Sequence, residues 1–316
     1  MKILFIVSRS PDKNGQADQF TTWHAIQYLR NNGCKVDCVV LEPYSFFSPF
    51  FYLKAFLNLF KGLPLQYSLY DSENNKIKVL KKYHNDDYEK IYFHLIRSMP
   101  ASHIIDVNEN IYLGMQISQG LNFRRISKEM SFGIKKYLYF FESILCKHYE
   151  IKLCHKKHKI NFVGTQDPEF LDVSKLQNIT IIPHGVDLYE INPISKNKDL
   201  IFLANFASEA NKEALECLIK DIFPVIQIDK PNIQLTIAGH NIPKKYNHKK
   251  IKNINFIGFV KNPSETIAHH KIFLNPVRAA ASMQNKVVTA LSSGTPVVTY
   301  INAIKGMQIS SEFLVA

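Results

Sequence analysis

Apolar and polar positions along the chain form two alternating kinds of segment, short uninterrupted apolar runs and longer stretches of helical periodicity. Residues 2–8 and 272–274 are apolar runs of the first kind, and residues 36–41 and 233–238, which are mostly apolar, are also predicted as strands. Such runs are typical of strands buried on both faces of a parallel sheet. Helical patterns come between them, for example at residues 17–32, and end at a glycine or a proline. The pattern therefore predicts an α/β protein built on parallel sheets.

The segment 272–300 carries the clearest chemical signal. An apolar run is followed by a loop with Arg278, a helical pattern that begins near Lys286 and ends at Gly294, and a second apolar run. This order places both cations at the carboxyl ends of parallel strands, where helix N-termini bind anions. Arg278 and Lys286 are therefore candidates for binding a phosphate or a diphosphate. The alternative is that both are solvated surface charges.

The same segment resembles the donor site of a known enzyme family. Residues 276–278 (Pro-Val-Arg), 284–286 (Gln-Asn-Lys) and 293–298 (Ser-Gly-Thr-Pro-Val-Val) follow the order found in GT-B glycosyltransferases of the retaining family 4. They are most similar to bacterial sugar transferases associated with exopolysaccharides. The resemblance spans nearly the whole chain and is densest over residues 178–298. It implies two Rossmann-like, doubly wound parallel-sheet domains that face a cleft.

The resemblance also implies a division of the chain. Residues 1–190 are expected to form an acceptor-side Rossmann-like domain, and residues 191–198 a polar linker that contains proline. Residues 199–316 would form the domain that binds the nucleotide sugar. Since the sequence ends at Ala316, we expect the usual terminal helices of GT-B proteins to be missing. Either the sequence is a fragment, or a protein partner covers the last predicted strand, residues 312–315.

Further donor-site candidates follow from the resemblance alone. Thr289 stands where relatives carry the glutamate that binds the donor ribose, and Ala281 stands at the position of a second glutamate. Ala204 and Asn205 replace a glycine that relatives have close to the phosphates. The complete set of nucleotide-binding candidates in this domain is Asn205, Gly239, Phe259, Val260, Arg278, Lys286 and Thr289.

The first domain supplies candidates on the other side of the expected cleft. In relatives the first loop lies across from the nucleotide sugar, which makes Asn14, Gly15 and Gln16 candidates; alternatively, they form an ordinary surface turn. Residues 103–108 are predicted as a strand that leads to the floor of the cleft, where Asp106 matches an aspartate of the family. Asp106 would face the sugar and stabilise positive charge on it, or it caps the following helix. The candidate catalytic residues are Asp106, Arg278 and Lys286.

Charge and aromatic content suggest a membrane contact. The chain has 316 residues and a net charge of +12, which indicates an anionic partner or merely a soluble surface. Residues 44–63 are rich in Phe and Tyr, with Lys54 and Lys61 as their only charges. Residues 123–159 are predicted as a long basic helix that suits an anionic membrane surface. The alternatives are a core helix for the first stretch and a solvated helix face for the second.

The cysteines and the lengths of the apolar runs indicate a cytoplasmic protein. The five cysteines are odd in number and scattered, which favours a reducing compartment. No run approaches the roughly 18 apolar residues of a membrane span, so any membrane contact would be peripheral. A Gly-x-Gly-x-x-Gly fingerprint is absent, so no nicotinamide or flavin site is expected. Cys146, Glu150, Cys154 and His158 recur every four residues but lack a zinc-ligand spacing, and we expect neither a metal nor a cofactor.

Together these features predict a glycosyltransferase of the hexosyltransferase type. It would move a sugar from a nucleoside diphosphate sugar to a saccharide or polyprenyl-linked acceptor in bacterial surface polysaccharide synthesis. Arg278 and Lys286 would hold the diphosphate and neutralise charge on the leaving group. The alternative is a catalytically impaired subunit that binds a nucleotide sugar or a partner protein, which the missing glutamate at Thr289 favours. Nucleic acid is not an expected partner, because no recognisable module accompanies the basic stretch.

Overall fold

The chain folds into two compact units. Residues 1–127 and 131–182 form the first unit, and residues 128–130 and 183–316 form the second. The predicted boundary after residue 190 and the predicted linker stay predictions, because residues 186–195 lie outside the described part of the chain. The structure, a computed structural model, describes residues 1–13, 15, 17–45, 47–105, 110–130, 132–183, 185, 196–246, 251–278, 284–304 and 307.

The first unit is built on a parallel sheet with strand order β2-β1-β3-β4-β5-β6. Strand β1 pairs with both β2 and β3, with Ile3 in register with Val36 on one side and Lys90 on the other. The described strands are β1 (Lys2–Val7), β2 (Lys35–Val40), β3 (Lys90–His94), β4 (Ile111–Gln116), β5 (Lys159–Phe162) and β6 (Ile179–Ile181).

Helices connect these strands, as the parallel order requires. A 3-10 helix, Ile96–Ile104, follows β3. The described α-helices of this part of the chain are α1 (Ala17–Asn31), α2 (Pro49–Phe60), α3 (Leu65–Tyr70), α4 (Glu73–His84), α5 (Gln119–Glu129), α6 (Ile134–Cys154) and α7 (Gln166–Leu171).

The second unit repeats the architecture with strand order β11-β10-β7-β8-β9. The described strands are β7 (Lys198–Leu203), β8 (Leu235–Ala238), β9 (Ile254–Gly258), β10 (His270–Asn275) and β11 (Val297–Thr299). The described helices are α8 (Glu209–Cys217), a π-helical turn (Leu218–Ile222), α9 (Phe223–Asp229), α10 (Pro263–Ala268) and α11 (Asn285–Ser292), with short 3-10 turns at Lys244–Tyr246 and Ile301–Ala303.

Both sheets are covered by apolar side chains on both faces. Along β1, Leu4 and Ile6 pack into one core cluster, whereas Ile3, Phe5 and Val7 pack into another on the opposite face. The central strand β7 does the same, with Leu200 and Phe202 on one face and Ile201 on the other. Burial on both faces explains why these strands read as uninterrupted apolar runs. The predicted α/β class with parallel sheets is confirmed.

Two predictions in the first unit are wrong in detail. The segment predicted as a strand at 103–108 begins inside the 3-10 helix, where Ser102 Oγ donates a hydrogen bond to the Met99 carbonyl. Such local side-chain bonds favour tight turns over strands, and the strand forms at β4 instead. The predicted single helix over 123–159 is two helices, α5 and α6, followed by β5. Gly133, a poor helix former, lies at the break.

The helix that follows β7 does not end before Pro224. The helical path continues through the π-helical turn Leu218–Ile222 into α9. Pro224 lies in the first turn of α9, directly after the wider π-helical turn in which the Phe223 N–H bonds to the Leu218 carbonyl. The predicted last strand, residues 312–315, lies outside the described part of the chain. Among the described residues, no helix has the length and apolarity needed to cross a membrane.

Candidate functional site at the carboxyl edge of the second sheet

The candidate residues of the second unit lie on loops that follow the strands of its sheet. Asn205 follows β7, Gly239 follows β8, Phe259 follows β9, and Arg278 follows β10. The next helix, α11, begins at Asn285. Since all five strands run parallel, these loops share the carboxyl edge of the sheet, where ligands bind in open α/β folds.

Lys286 lies in the first turn of α11 and is held by a specific contact. Its Nζ donates a hydrogen bond to Asn211 Oδ1 at 3.0 Å and lies 5.0 Å from the centre of the Phe202 ring. Within the described part of the chain, no carboxylate lies within ion-pair distance of this Nζ, and its partner is the neutral Asn211 side chain. Burial lowers the pKa of Lys286 from its usual 10.5 to about 7. An anion bound here would stabilise the charged ammonium.

Asn211 connects this lysine to the loop after β7. Its Nδ2 donates a hydrogen bond to the Asn205 carbonyl at 2.7 Å, while its Oδ1 accepts from Lys286. Asn205 Oδ1 in turn accepts from the Ala207 N–H and from Asn241 Nδ2. The network joins the loops after β7 and β8 to the start of α11. Sequence reasoning missed the role of Asn211.

Arg278 is exposed and oriented by its neighbours. Its Nε donates to the Tyr300 hydroxyl at 3.0 Å, and its guanidinium carbon lies 5.5 Å from the centre of the Tyr300 ring. Its Nη2 lies 3.6 Å from Cys217 Sγ. The hydrogen bond to Tyr300 raises the pKa of Arg278, followed in size by the electrostatic effect of Cys217. The guanidinium thus stays charged and retains donors for an anion.

Gly239 permits a close approach of two backbones. It has a φ of +128°, and its N–H donates to the Gly258 carbonyl at 2.7 Å. A Cβ at this position would stand 1.8 Å from the carbonyl oxygen of Ala204. The position therefore requires glycine for both conformational and steric reasons.

An open cavity adjoins Gly239. It has a volume of about 510 Å³ and is lined by the loop after β8 and by the end of β9, including His240, Asn241 and Phe259. The rings of His240 and Phe259 lie 4.3 Å apart, with Phe259 exposed. An aromatic pair beside glycine backbone suits a flat ring such as a nucleobase. Val260 was also a nucleotide-binding candidate. It does not line this cavity and packs instead against the apolar cluster around Ile201.

Thr289 lies one turn after Lys286 on α11 and is half-buried. Its Oγ1 donates a hydrogen bond back to the Asn285 carbonyl at 2.9 Å. It is a hydroxyl where the family carries a carboxylate, and its donor capacity is used inside the helix. Ala281, the position of the other family glutamate, lies outside the described residues.

The candidates of the first unit are described only in part. Asn14, Gln16 and Asp106 lie outside the described residues. Gly15 is described, and a Cβ there would stand 2.8 Å from Gln19 Cβ, so a side chain would force the loop to shift. The roles predicted for these residues stay predictions.

A charged cluster near Gly15 was missed by the sequence analysis. Asp18, in the first turn of α1, forms an ion pair with Arg97 and lies 3.3 Å from Arg9 Nη1. Arg9 follows β1 and Arg97 follows β3, so the three charges meet at the carboxyl edge of the first sheet. Burial lowers the pKa of Arg97. No periodic pattern signals this cluster, since its members come from three separate elements.

The N-terminus of helix α5 contacts the buried side chain of Glu150, one of the four regularly spaced residues considered above for zinc. Glu150 accepts hydrogen bonds from Ser118 Oγ at 2.6 Å and from the Gln119 N–H at 2.7 Å. Burial raises the pKa of Glu150 to about 8. Through these two hydrogen bonds Glu150 caps the N-terminus of α5. In the described part of the chain, His, Cys, Asp and Glu residues form no cluster suited to a metal ion.

Comparison with known proteins agrees with this geometry. Residues 197–312 match the family model described as "Glycosyl transferases group 1". A curated protein of Klebsiella pneumoniae, described as an uncharacterized 44.6 kDa protein in the cps region, is 24% identical over 258 residues. That alignment covers 78% of this chain, and the chain spans only 64% of the length of the relative.

Solved structures show the same fold. HepE of Anabaena, in complex with UDP and glucose, has a TM-score of 0.57 at 13% identity, over 94% of this chain and 80% of that one. Sucrose-phosphate synthase from Thermosynechococcus elongatus has a TM-score of 0.66 at 13% identity, over 98% and 83% of the two chains. The fold is GT-B, and the predicted resemblance to GT-B glycosyltransferases of group 1 is confirmed.

Proposed function

We propose that this protein is a glycosyltransferase that uses a nucleoside diphosphate sugar as its donor. The observation that supports it best is the pairing of Lys286 and Arg278 with the N-terminus of α11 at the carboxyl edge of the second sheet. This arrangement lies inside the segment that matches the glycosyl transferases group 1 model. Two cations and free helix N–H groups bind a diphosphate by charge and by hydrogen bonds.

The same groups would assist the reaction. As the bond between the sugar and the diphosphate breaks, negative charge grows on the leaving oxygen. The ammonium of Lys286 and the guanidinium of Arg278 would stabilise that charge, and Asn211 would keep the lysine in place. The cavity next to Gly239 and Phe259 would take the base. Asp106 and the loop with Asn14, Gly15 and Gln16 stay candidates for the acceptor side.

The donor sugar is proposed to be a hexose and the product a surface polysaccharide or its lipid-linked precursor. HepE of Anabaena, which shares the fold, holds UDP-glucose in one of its structures. The Klebsiella relative is described as a protein of the cps region. A cytoplasmic location stays a prediction. The comparisons do not favour the alternative of a non-catalytic binding subunit.

Calorimetric titration of the full chain with UDP-glucose, GDP-mannose and their free nucleotides tests the donor site. We expect binding of one nucleotide class, and at least a 100-fold loss in the double variant Arg278→Ala/Lys286→Ala, in line with two charge-assisted contacts. The matched control is Lys271→Ala, an exposed lysine at the other end of β10 that pairs with Asp199 at 2.8 Å. Its affinity should equal that of the wild type. Equal binding by the double variant would contradict the assignment.

Turnover is measured separately, as release of free nucleotide from the bound donor in the presence of saccharide and polyprenyl phosphate acceptors. Acceptor-dependent release that disappears in the double variant supports the transferase. Tight donor binding with no release for any acceptor would favour the binding subunit instead. In that case Thr289→Glu, which restores the carboxylate of the family, should strengthen donor binding.

A further inference from the structure

Helix α2 attaches to the first unit by its polar side. The side chains that it buries include Asn58, whose Nδ2 donates hydrogen bonds to Ser68 Oγ and Asp71 Oδ2, both at 3.2 Å. Lys54, one turn earlier on the same face, lies 3.5 Å from the Asp71 carboxylate. The apolar side chain that joins this face is Phe51. This is the reverse of an ordinary surface helix, which buries its apolar side.

The remaining faces of α2, together with Phe47 shortly before it, expose large apolar side chains. Phe60, for example, is 78% exposed. These side chains are Phe47, Phe50, Tyr52, Leu53, Phe56, Leu57, Leu59 and Phe60. The structure therefore does not support the core-helix alternative for residues 44–63.

The first half of α6 shows the same inversion. Its buried side chains there are polar, Glu142 and Ser143, and Glu142 accepts hydrogen bonds from the Leu65 and Gln66 N–H groups at 3.1 and 3.2 Å. Phe132 and Ile134 at its start are 87% and 81% exposed. The exposed apolar side chains of this half are Phe132, Ile134, Tyr137, Leu138, Phe140, Phe141 and Ile144.

Helix α3 joins these two features. Its Ser68 side chain contacts α2, and its N-terminus is held by Glu142 of α6. The exposed apolar side chains of 47–60 and 132–144 therefore belong to neighbouring elements of one unit, and we call them the aromatic surface. Monomeric proteins rarely expose so many clustered apolar side chains without a partner.

The charges that the stretches of the aromatic surface themselves expose are lysines. Within residues 47–66 and 132–148 the acidic residue is Glu142, which is buried and bonded to α3. Lys54 pairs with Asp71 on the attached face of α2, and the remaining lysines of these stretches are Lys61, Lys135, Lys136 and Lys147. A second copy of the chain would bring a like-charged surface, whereas an anionic bilayer offers both apolar depth and negative headgroups.

We infer that the aromatic surface is a docking site for an anionic phospholipid membrane. The Phe, Tyr and Leu side chains enter the boundary between headgroups and acyl chains, and the lysines lie at the level of the phosphates. The contact is peripheral. The inference depends on this surface alone, so it stands or falls independently of donor binding.

Sedimentation of the full chain with lipid vesicles tests the inference. We expect binding to vesicles of phosphatidylcholine with about a third phosphatidylglycerol, and several-fold weaker binding to phosphatidylcholine alone. The variant Phe56→Ser/Phe60→Ser/Phe141→Ser should lose at least about ten-fold in binding. These side chains are exposed, so the melting temperature should not fall. The matched control Val225→Ser/Ile228→Ser removes exposed apolar side chains of α9 and should bind as the wild type does.

A second pair of variants tests the charges. Lys61→Glu/Lys135→Glu should abolish the preference for anionic vesicles, whereas Lys230→Glu/Lys252→Glu, with the same change of net charge in the second unit, should retain it. Absence of vesicle binding by the wild type would overturn the inference, as would equal binding by the serine triple variant and the wild type. A dimer in sedimentation-velocity analysis that the triple variant converts to monomer would identify the surface as a self-association interface and also overturn it.

Discussion

The pKa of Lys286 makes donor binding dependent on pH. In the free protein, burial lowers that pKa to about 7, so the side chain loses its proton as the pH rises above neutrality. A bound diphosphate favours the charged ammonium and raises the pKa again. Binding above neutral pH must therefore be accompanied by the uptake of a proton, while binding well below it requires none.

The size of the effect follows from the free-protein pKa. Between about pH 6 and about pH 8.5 the charged fraction of Lys286 falls roughly 30-fold, so the donor affinity should fall by a similar factor, about 2 kcal/mol. Calorimetric titration with the intact nucleotide sugar is the suitable assay, because its diphosphate does not titrate in this range. Repeating it at about pH 8 in buffers of different ionisation enthalpy should report uptake of nearly one proton.

Two variants separate this effect from other titrations. Lys286→Gln cannot gain a proton, so its affinity should be weak and independent of pH. Lys271→Gln, which removes an exposed lysine at the opposite edge of the sheet, should keep the wild-type dependence. If the wild type binds with equal affinity across the range and takes up no proton, Lys286 does not contact the diphosphate, and the assignment of the donor site is refuted.

Three further predictions concern stability and the support of the site. Gly239→Ala should lower the unfolding free energy of the second unit by roughly 3 kcal/mol, because the new Cβ would clash with the Ala204 carbonyl. Gly258 also has a positive φ but no atom within 4 Å of an added Cβ, so Gly258→Ala should lower the unfolding free energy by only about 1 kcal/mol. Thermal unfolding of both variants measures the difference. Since burial raises the pKa of Glu150 to about 8, its contribution to stability is fully present below its unfolded pKa and is lost as the pH rises through about 8. Chemical denaturation across this range should show that loss in the wild type and a flatter profile in Glu150→Gln. Asn211→Ala removes the acceptor of Lys286 and should raise the donor Kd by about five-fold, the worth of one hydrogen bond, without changing the melting temperature by more than a few degrees.

The sequence predicted most strands because each is buried on both faces of its sheet. Strands such as β1 and β7 need apolar side chains at residues 3–7 and 200–203, and that requirement leaves an uninterrupted run. The weaker predictions fall where local chemistry competes with periodicity. Ser98 and Ser102 donate to backbone carbonyls in the 3-10 helix after β3, and this turn took the place of the predicted strand.

The parts of the site that escaped prediction depend on contacts between distant elements. Arg278 and Lys286 were found because one strand–loop–helix unit carries both. Asn211 and the Arg97–Asp18 pair could not be found in this way, because their partners lie 75 and 79 positions away along the chain. Spacing within one element carries no information about which side chain of another element will be adjacent.

Ala204 and Asn205, which the resemblance places where relatives carry a glycine, each have a defined role at this edge of the sheet. Ala204 is buried, and its N–H donates to the Ala238 carbonyl, so its methyl group belongs to the interior. The Asn205 side chain turns into the loop, accepts from the Ala207 N–H and binds Asn241. Close backbone approach occurs instead at Gly239 on the neighbouring strand. The Asn205 side chain therefore ties the loop after β7 to the loop after β8, and the absence of a side chain at Gly239 lets the Ala204 carbonyl pack against it.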